Sequence, residues 1–207
     1  MKTVKDLWVG ANKLNGTIPT EVGSLTGLAG LGLYQNQLEG TIPTELESLV
    51  GLERLLLFDN AFTGGIPSYL GSFSALRELF LSKNPLGGTV PPEIFKLSGL
   101  SVLSLYDNDL TGTLPTLSNL WGLNILALST NFLTGTVPEL SVKFSEYTCF
   151  VGGNNFSDTQ NALDAGCIDI DPKSVNQGSL LPEANQTTDL VQTQALKKAR
   201  GYPTTFP

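Results

Sequence analysis

The sequence LGLYQNQLEGTIP at residues 31–43 decides the fold, because it recurs in altered form along most of the chain. The next copy, LLLFDNAFTGGIP, occupies residues 55–67. A Gly-x-x-Pro string marks six copies, at residues 16–19, 40–43, 64–67, 88–91, 112–115 and 135–138. Successive strings are 24 residues apart four times and 23 residues apart once. So regular a spacing predicts repeated units that stack on one another.

Three further positions recur in every copy. An Asn stands four residues before each Gly, at Asn12, Asn36, Asn60, Asn84, Asn108 and Asn131. Two apolar residues precede each Asn, as in Leu31 and Leu33 or Leu79 and Leu81. Their alternation predicts short strands with one buried face, centred on 7–9, 31–33, 55–57, 79–81, 103–105 and 126–128. The Asn amide is expected to point inward and to hydrogen-bond the backbone of the turn.

This pattern resembles the plant-type leucine-rich repeat, LxxLxLxxNxLxGxIPxxLxxLxx, from residue 4 to about residue 140. The resemblance implies an α/β repeat solenoid, a right-handed leucine-rich-repeat superhelix with a concave parallel β-sheet. Because no repeat buries its core alone, such an array is stable only as a stack.

The chain is expected to have three parts. Residues 1–145 hold the six leucine-rich repeats, residues 146–167 a degenerate repeat and a C-terminal cap, and residues 168–207 an extended tail with a short helix over 188–200. In the degenerate repeat, Cys149, Val151, Asn154 and Phe156 take the strand, strand, Asn and apolar positions. A short helix is expected over 157–165, ending before Gly166.

The two cysteines lie on either side of the degenerate repeat. A disulfide between Cys149 and Cys167 would close the last repeat, whose core is otherwise open at one end. Two unpaired thiols are the alternative.

The outward positions of the strands suggest a binding surface. An aromatic, apolar stripe on the open concave face is expected to contain Trp8, Tyr34, Leu56, Phe58, Phe80 and Tyr106. Because these side chains point away from the core, Phe58→Ala and Tyr106→Ala are expected to leave folding nearly intact. Asp59, Lys83 and Asp107 form an alternating charged row beside the stripe. The alternatives are aromatic residues that bind no ligand and a solvated ladder of ion pairs.

Composition excludes several classes of function. The chain has no His and only two Cys, which excludes His-based activation of a nucleophile and Cys-based zinc or iron–sulfur cages. No catalytic residues, metal or cofactor are therefore expected, and the chain is interpreted as not an enzyme. A net charge of −7 argues against nucleic-acid binding. No apolar run approaches the roughly 20 residues that span a bilayer, so no transmembrane segment of its own is expected.

The resemblance implies a non-catalytic recognition module that binds a protein, peptide or glycan on its concave face, as in receptor-like and inhibitor-like repeat proteins of plants and algae. The alternative is a scaffold or accessory subunit docked in a larger, membrane-associated assembly. Glycosylation sequons at Asn15, Asn155 and Asn185, with the cysteines, favour an extracellular or secretory compartment. The N-terminal residues carry no signal-peptide pattern, so the N-terminus is expected to be truncated.

Overall fold

The computed structural model describes residues 4–144 and 148–167. The expected tail over 168–207, its helix over 188–200 and the sequon at Asn185 lie outside the described residues.

Short strands and single helical turns alternate along the described chain. In chain order the strands are β1 (Asp6–Trp8), β2 (Asn15–Gly16), β3 (Gly30–Gly32), β4 (Gln37–Thr41), β5 (Arg54–Leu56), β6 (Ala61–Thr63), β7 (Glu78–Phe80), β8 (Val102–Ser104), β9 (Thr111–Thr113), β10 (Ile125–Ala127), β11 (Phe132–Thr136), β12 (Cys149–Phe150) and β13 (Asn155–Asp158). The 3-10 helices span Thr20–Ser24, Thr44–Ser48, Ser68–Ser72 and Pro92–Lys96, and one α-helix, α1, spans Gln160–Asp164.

The main sheet contains one strand from each repeat. Its order is β1-β3-β5-β7-β8-β10-β12, and every neighbouring pair is parallel. The first apolar residue of each repeat is aligned with its equivalents, so that Leu31, Leu55 and Leu79 lie side by side. The six regular strands begin one residue earlier than the sequence pattern predicts. The backbone hydrogen bonds of the sheet continue past the ends of the strands. For example, Leu33 N donates to Leu56 O at 2.8 Å.

The interior lies between this sheet and the opposite side of each repeat, where the helical turns run. The paired strand leucines are buried, which confirms the register read from the spacing; they are Leu31, Leu33, Leu55, Leu57, Leu79, Leu81, Leu103 and Leu105. Residues of the helical turns, including Leu46, Leu70 and Ile94, belong to the same core cluster. Each repeat therefore completes the core of its neighbours.

A ladder of asparagines runs beside the core. Asn60 Nδ2 donates to the carbonyl oxygens of Leu33 at 3.1 Å, Leu57 at 3.0 Å and Phe58 at 3.3 Å, while Asn60 Oδ1 accepts from Leu38 N at 3.1 Å. The same arrangement recurs at Asn36, Asn84, Asn131 and Asn154. The amide joins two adjacent repeats, as its expected role in the turn requires.

The ladder is interrupted in the fourth repeat. Pro85 follows Asn84 and has no N–H, whereas Phe132 N, at the same position two repeats later, donates to Leu110 O at 2.8 Å. Leu86 N turns back to Asn84 O at 2.9 Å, and Asn108 Oδ1 is left buried without a hydrogen-bond partner. The strands that follow the ladder accordingly form two separate groups, β2-β4-β6 before the interruption and β9-β11-β13 after it.

The degenerate repeat closes the C-terminal end. Cys149 and Cys167 form a disulfide with Cα atoms 4.5 Å apart, and both are buried in the core cluster. The helix there is shorter than expected, because residues Asn155–Asp158 pair with β11 as strand β13. Asp158 Oδ1 accepts from Gln160 N at 2.8 Å at the start of α1.

The packing predicts a large effect for truncation of an interior leucine. Leu79→Ala is expected to lower the free energy of unfolding by about 2–5 kcal/mol, because flanking repeats cannot close the cavity. Chemical denaturation measures the loss. Leu14→Ala is the matched control, since 42% of Leu14 is exposed, and it should cost well under 1 kcal/mol. A loss of similar size in both variants would contradict the assigned register.

The interrupted ladder predicts that two chemically identical substitutions differ. Asn60→Leu should destabilise by about 1–3 kcal/mol, because it leaves the buried Leu38 N without its acceptor and removes one hydrogen bond from each of three carbonyl groups. Asn108→Leu should cost less, since no backbone N–H depends on Asn108 Oδ1 and a buried unpaired oxygen is removed. Equal losses in parallel denaturation curves would show that the Oδ1 hydrogen bond contributes nothing to stability.

Candidate recognition site on the concave face

The outward side of the main sheet carries a second apolar cluster, separate from the interior core. This concave cluster consists of Tyr34, Leu56, Phe58, Phe80, Val102, Tyr106, Ile125, Ala127 and Phe150. Four of the five aromatic residues expected in the stripe belong to it. Its members come from the strands of the main sheet and from the residues that follow β3, β5 and β8.

The expectation that the stripe is open is wrong for most of its length. The exposed fraction is 1% for Phe58, 0% for Phe80 and 2% for Tyr106, and Tyr34 and Leu56 are also buried. Trp8 is the exception at 37%. Phe58→Ala and Tyr106→Ala are therefore expected to destabilise the fold, contrary to the expectation from the sequence.

Ring packing along the sheet accounts for part of this burial. The rings of Tyr34 and Phe58 stack with centroids 4.9 Å apart and planes 11° apart, and Phe80 lies tilted against Phe58 at 6.1 Å. Glycines make room for the larger rings, because a Cβ added at Gly10 would lie 2.5 Å from Tyr34 Cε1. This large-beside-small pairing could have been read from the sequence as a sign of packing.

The three predicted charged residues converge on one pocket. Asp59, Lys83 and Asp107 each precede a ladder asparagine and have positive φ angles of 58°, 55° and 53°. They line a pocket of about 370 Å³ together with Asn84, Pro85, Asn108 and Asp109. None of these four residues was predicted as a site residue from the sequence, although the departure from the repeat pattern at Pro85 marks the place.

The left-handed backbone at these positions is held in place on both sides. Asp59 N donates to Ser82 O and Lys83 N donates to Tyr106 O, both at 3.0 Å, and the following asparagine is anchored in the ladder. Non-glycine residues adopt this conformation only where the surroundings enforce it. The charged row is consequently mounted on a rigid backbone.

A separate polar group surrounds Trp8 at the N-terminal end of the sheet. Arg54 forms an ion pair with Asp6, its Nη2 lying 2.8 Å from Asp6 Oδ1, and its guanidinium carbon is 5.3 Å from the centre of the Trp8 ring. Glu78 is paired in register with Arg54. Burial raises the pKa of Glu78, and the charge of Arg54 opposes that rise. This polar group was not predicted from the sequence. Its members Asp6, Arg54 and Glu78 each precede the first apolar residue of a strand, where the strand pattern begins.

Three other features bear on the functions expected from the sequence. Within residues 4–144 and 148–167, no group of three or more His, Cys, Asp or Glu residues is placed to hold a metal ion. The helices of that same part of the chain are all too short or too polar to cross a membrane. The sequon residues Asn15 and Asn155 are exposed at the starts of β2 and β13.

Comparison with known proteins agrees with the repeat and the sheet. The family model described as Leucine Rich Repeat matches residues 75–97. The crystal structure of PEPR1–AtPEP1 is 36% identical, with a TM-score of 0.69, over 74% of this chain and 22% of that chain. The chain belongs to the plant-type leucine-rich repeat family. No curated protein matches this leucine-rich repeat chain.

Two Arabidopsis structures extend the comparison. The ectodomain of the receptor kinase HAESA, in complex with an extended IDA peptide hormone ligand, is 31% identical with a TM-score of 0.67. That match covers 72% of this leucine-rich repeat chain and 25% of that chain, so this chain spans about a quarter of the HAESA ectodomain. A structure of the BIR3–SERK2 complex is 32% identical with a TM-score of 0.54, over 65% of this chain and 71% of that chain.

The buried concave cluster predicts that its aromatic residues stabilise the leucine-rich repeat fold. Phe58→Ala is expected to lower the free energy of unfolding by about 3–5 kcal/mol, because the Phe58 ring fills the space between Tyr34 and Phe80. Phe132→Ala is the matched control, since Phe132 is 53% exposed, and it should cost under about 1 kcal/mol. If the denaturation curves of the two variants overlay, Phe58 does not stabilise the fold, and the interpretation of an open stripe is restored.

Proposed function

We propose that this chain is a non-catalytic recognition module that binds a peptide, or a peptide-like segment of a protein partner, at its concave face. The charged row and the pocket around it carry the proposal. Rigid side chains lose little conformational freedom when a ligand binds, so a row fixed by the ladder favours affinity.

The charge of the pocket indicates the kind of peptide. Asp59, Asp107 and Asp109 contribute three carboxylates and Lys83 contributes one ammonium group. This excess of negative charge favours a basic side chain on the ligand, while Lys83 suits a carboxylate or carbonyl group next to it. The pocket thus selects for an extended segment with a Lys or Arg at one position.

The aromatic residues take two different roles in this proposal. Trp8 is exposed and lies beside Arg54, so it offers a ring face at the N-terminal end of the sheet. Tyr34, Phe58, Phe80 and Tyr106 are buried, so they stabilise the face that carries the charged row and do not themselves contact a ligand.

The solved relatives support a recognition function, and the covalent structure supports an extracellular or secretory compartment. PEPR1 is crystallised with AtPEP1, HAESA with a peptide hormone and BIR3 with SERK2, and each of these is a recognition complex. The disulfide between Cys149 and Cys167 and the exposed sequons at Asn15 and Asn155 favour an extracellular or secretory compartment. We infer that binding, without catalysis, is the activity of the domain.

A peptide selection tests the proposed surface. Random peptides displayed on phage are selected on the immobilised full chain, and their affinities are measured by titration. Lys83→Ala and Asp107→Asn should each weaken the selected peptides by at least about tenfold, which corresponds to about 1.4 kcal/mol. The selected sequences should be enriched in Lys and Arg.

The matched controls lie on the other side of the repeats. Lys96→Ala and Glu93→Ala alter exposed or partly exposed charges on the helical turn Pro92–Lys96, and they should leave the affinity unchanged. Peptides that lose affinity with these controls, and keep it with Lys83→Ala and Asp107→Asn, would place recognition on the convex side and refute the proposal.

A further inference from the structure

One hydrogen-bond acceptor of the asparagine ladder has no donor. At the other joints of the described ladder, Oδ1 accepts a backbone N–H from the preceding repeat, as Asn84 does from Phe62 N at 3.1 Å. Between the fourth and fifth repeats the equivalent donor is Leu86 N, which is bonded to Asn84 O instead. Asn108 is 5% exposed, and its Oδ1 is buried without a hydrogen-bond partner. Such a buried acceptor lowers stability until a donor reaches it.

This unpaired acceptor belongs to the pocket of the charged row, since Asn108 and Pro85 both line that pocket. Asn108 Nδ2 donates to Leu105 O at 2.8 Å and to Leu81 O at 3.4 Å. These bonds direct Oδ1 toward the fourth repeat, where the other ladder asparagines meet their donor. The bond to Leu81 O is the longest of its kind among the described ladder asparagines. A donor that enters the pocket therefore completes a joint that the chain itself leaves weak.

The charges around the pocket favour a cationic donor. Three carboxylates, those of Asp59, Asp107 and Asp109, line the pocket with the single ammonium group of Lys83. A neutral N–H satisfies the acceptor alone, whereas a cationic N–H also gains from the excess of carboxylates. Among the described residues, no three Asp, Glu, His or Cys side chains are placed to hold a metal ion, so the arrangement suits an organic cation better than a metal.

The burial of Asn108 Oδ1 distinguishes between the two kinds of organic cation found on peptides. A primary ammonium group is compact, ends a slender stem and donates in three directions. It is able to reach Oδ1 and still donate to the carboxylates of Asp59 or Asp109. A guanidinium group is a wider, planar fork whose donors lie in one plane. It must displace the backbone beside Pro85 before it reaches the oxygen, so the pocket fits an ammonium group better.

We propose that this pocket binds a primary ammonium group of a peptide ligand, which donates to Asn108 Oδ1 and so completes the asparagine ladder. The ligand supplies the hydrogen bond that the fourth repeat does not donate after Pro85. The peptide nature of the ligand rests on the proposed function, whereas the ammonium site rests on the pocket and its unpaired acceptor. A lysine side chain and a peptide N-terminus share this chemistry, and probes of both kinds separate them.

Small probes test the site on the full chain by NMR titration. Nα-acetyl-lysine methylamide carries its ammonium group on a side chain and alanine methylamide carries it on a terminus. The matched controls are Nα-acetyl-norleucine methylamide, which is neutral, and Nα-acetyl-arginine methylamide. The better ammonium probe should bind at least about tenfold more tightly than both controls and shift the Nδ2 resonances of Asn108. Asn60, whose Oδ1 already accepts Leu38 N, should not shift.

The tighter of the two ammonium probes names the source of the group. A norleucine or arginine probe that binds as tightly as the better ammonium probe would overturn the proposal, as would shifts confined to residues outside the pocket.

A variant with a regular fourth repeat tests the role of the unpaired acceptor. Pro85→Gln restores a backbone N–H, and Gly87→Thr disfavours the positive φ of 65° at that position. Together they allow Leu86 N to donate to Asn108 Oδ1 while every charge of the pocket is kept. The double variant should unfold at a higher denaturant concentration and bind the ammonium probe at least about tenfold more weakly. A gain in stability with unchanged affinity would overturn the proposal.

Two charge variants give a test that does not depend on rebuilding the repeat. Asp109→Asn removes a carboxylate at an exposed position of the pocket and should weaken the ammonium probe by about threefold or more. Glu21→Gln is the matched control, because it removes an exposed carboxylate on the helical turn Thr20–Ser24. Equal affinities in the two variants would contradict the site.

These measurements use no selected peptide, so their outcome is separate from that of the phage selection. The ammonium site fails alone if the selected peptides depend on Lys83 and the probes do not bind at Asn108. It stands alone if the probes bind there and the selected peptides bind the convex side.

Discussion

The side-chain amide of each ladder asparagine is the interaction on which the other features of the solenoid depend. Asn60 alone binds carbonyl groups of two successive repeats and accepts an N–H from the earlier one. Because Leu38 N would otherwise be buried without a partner, the amide allows the turn to lie inside a packed protein. It also fixes the residue just before it in a left-handed conformation, which is how Asp59 and Lys83 reach the rim of the concave face.

The same dependence explains why the pocket lies in the middle of the array. At Pro85 the backbone cannot donate its usual hydrogen bond, Leu86 N turns back on Asn84, and Asn108 Oδ1 loses its donor. Pro85 and Asn108 both line the pocket. A local conflict with the repeat pattern thus coincides with the region where the charged side chains converge.

The interior of the protein was predictable from the sequence, whereas the state of its concave face was not. The spacing of Leu31, Leu55 and Leu79 determines which side chains lie side by side, and the structure confirms that register. Alternation shows which face of a strand a residue occupies, but it does not show how far the side chains of that face bury one another. Phe58 and Tyr106 were therefore placed on the correct side of the sheet and given the wrong exposure. Part of the pocket was predictable, because Asp59, Lys83 and Asp107 occupy one repeated position, whereas Pro85 departs from the repeat pattern and was not predicted as a site residue.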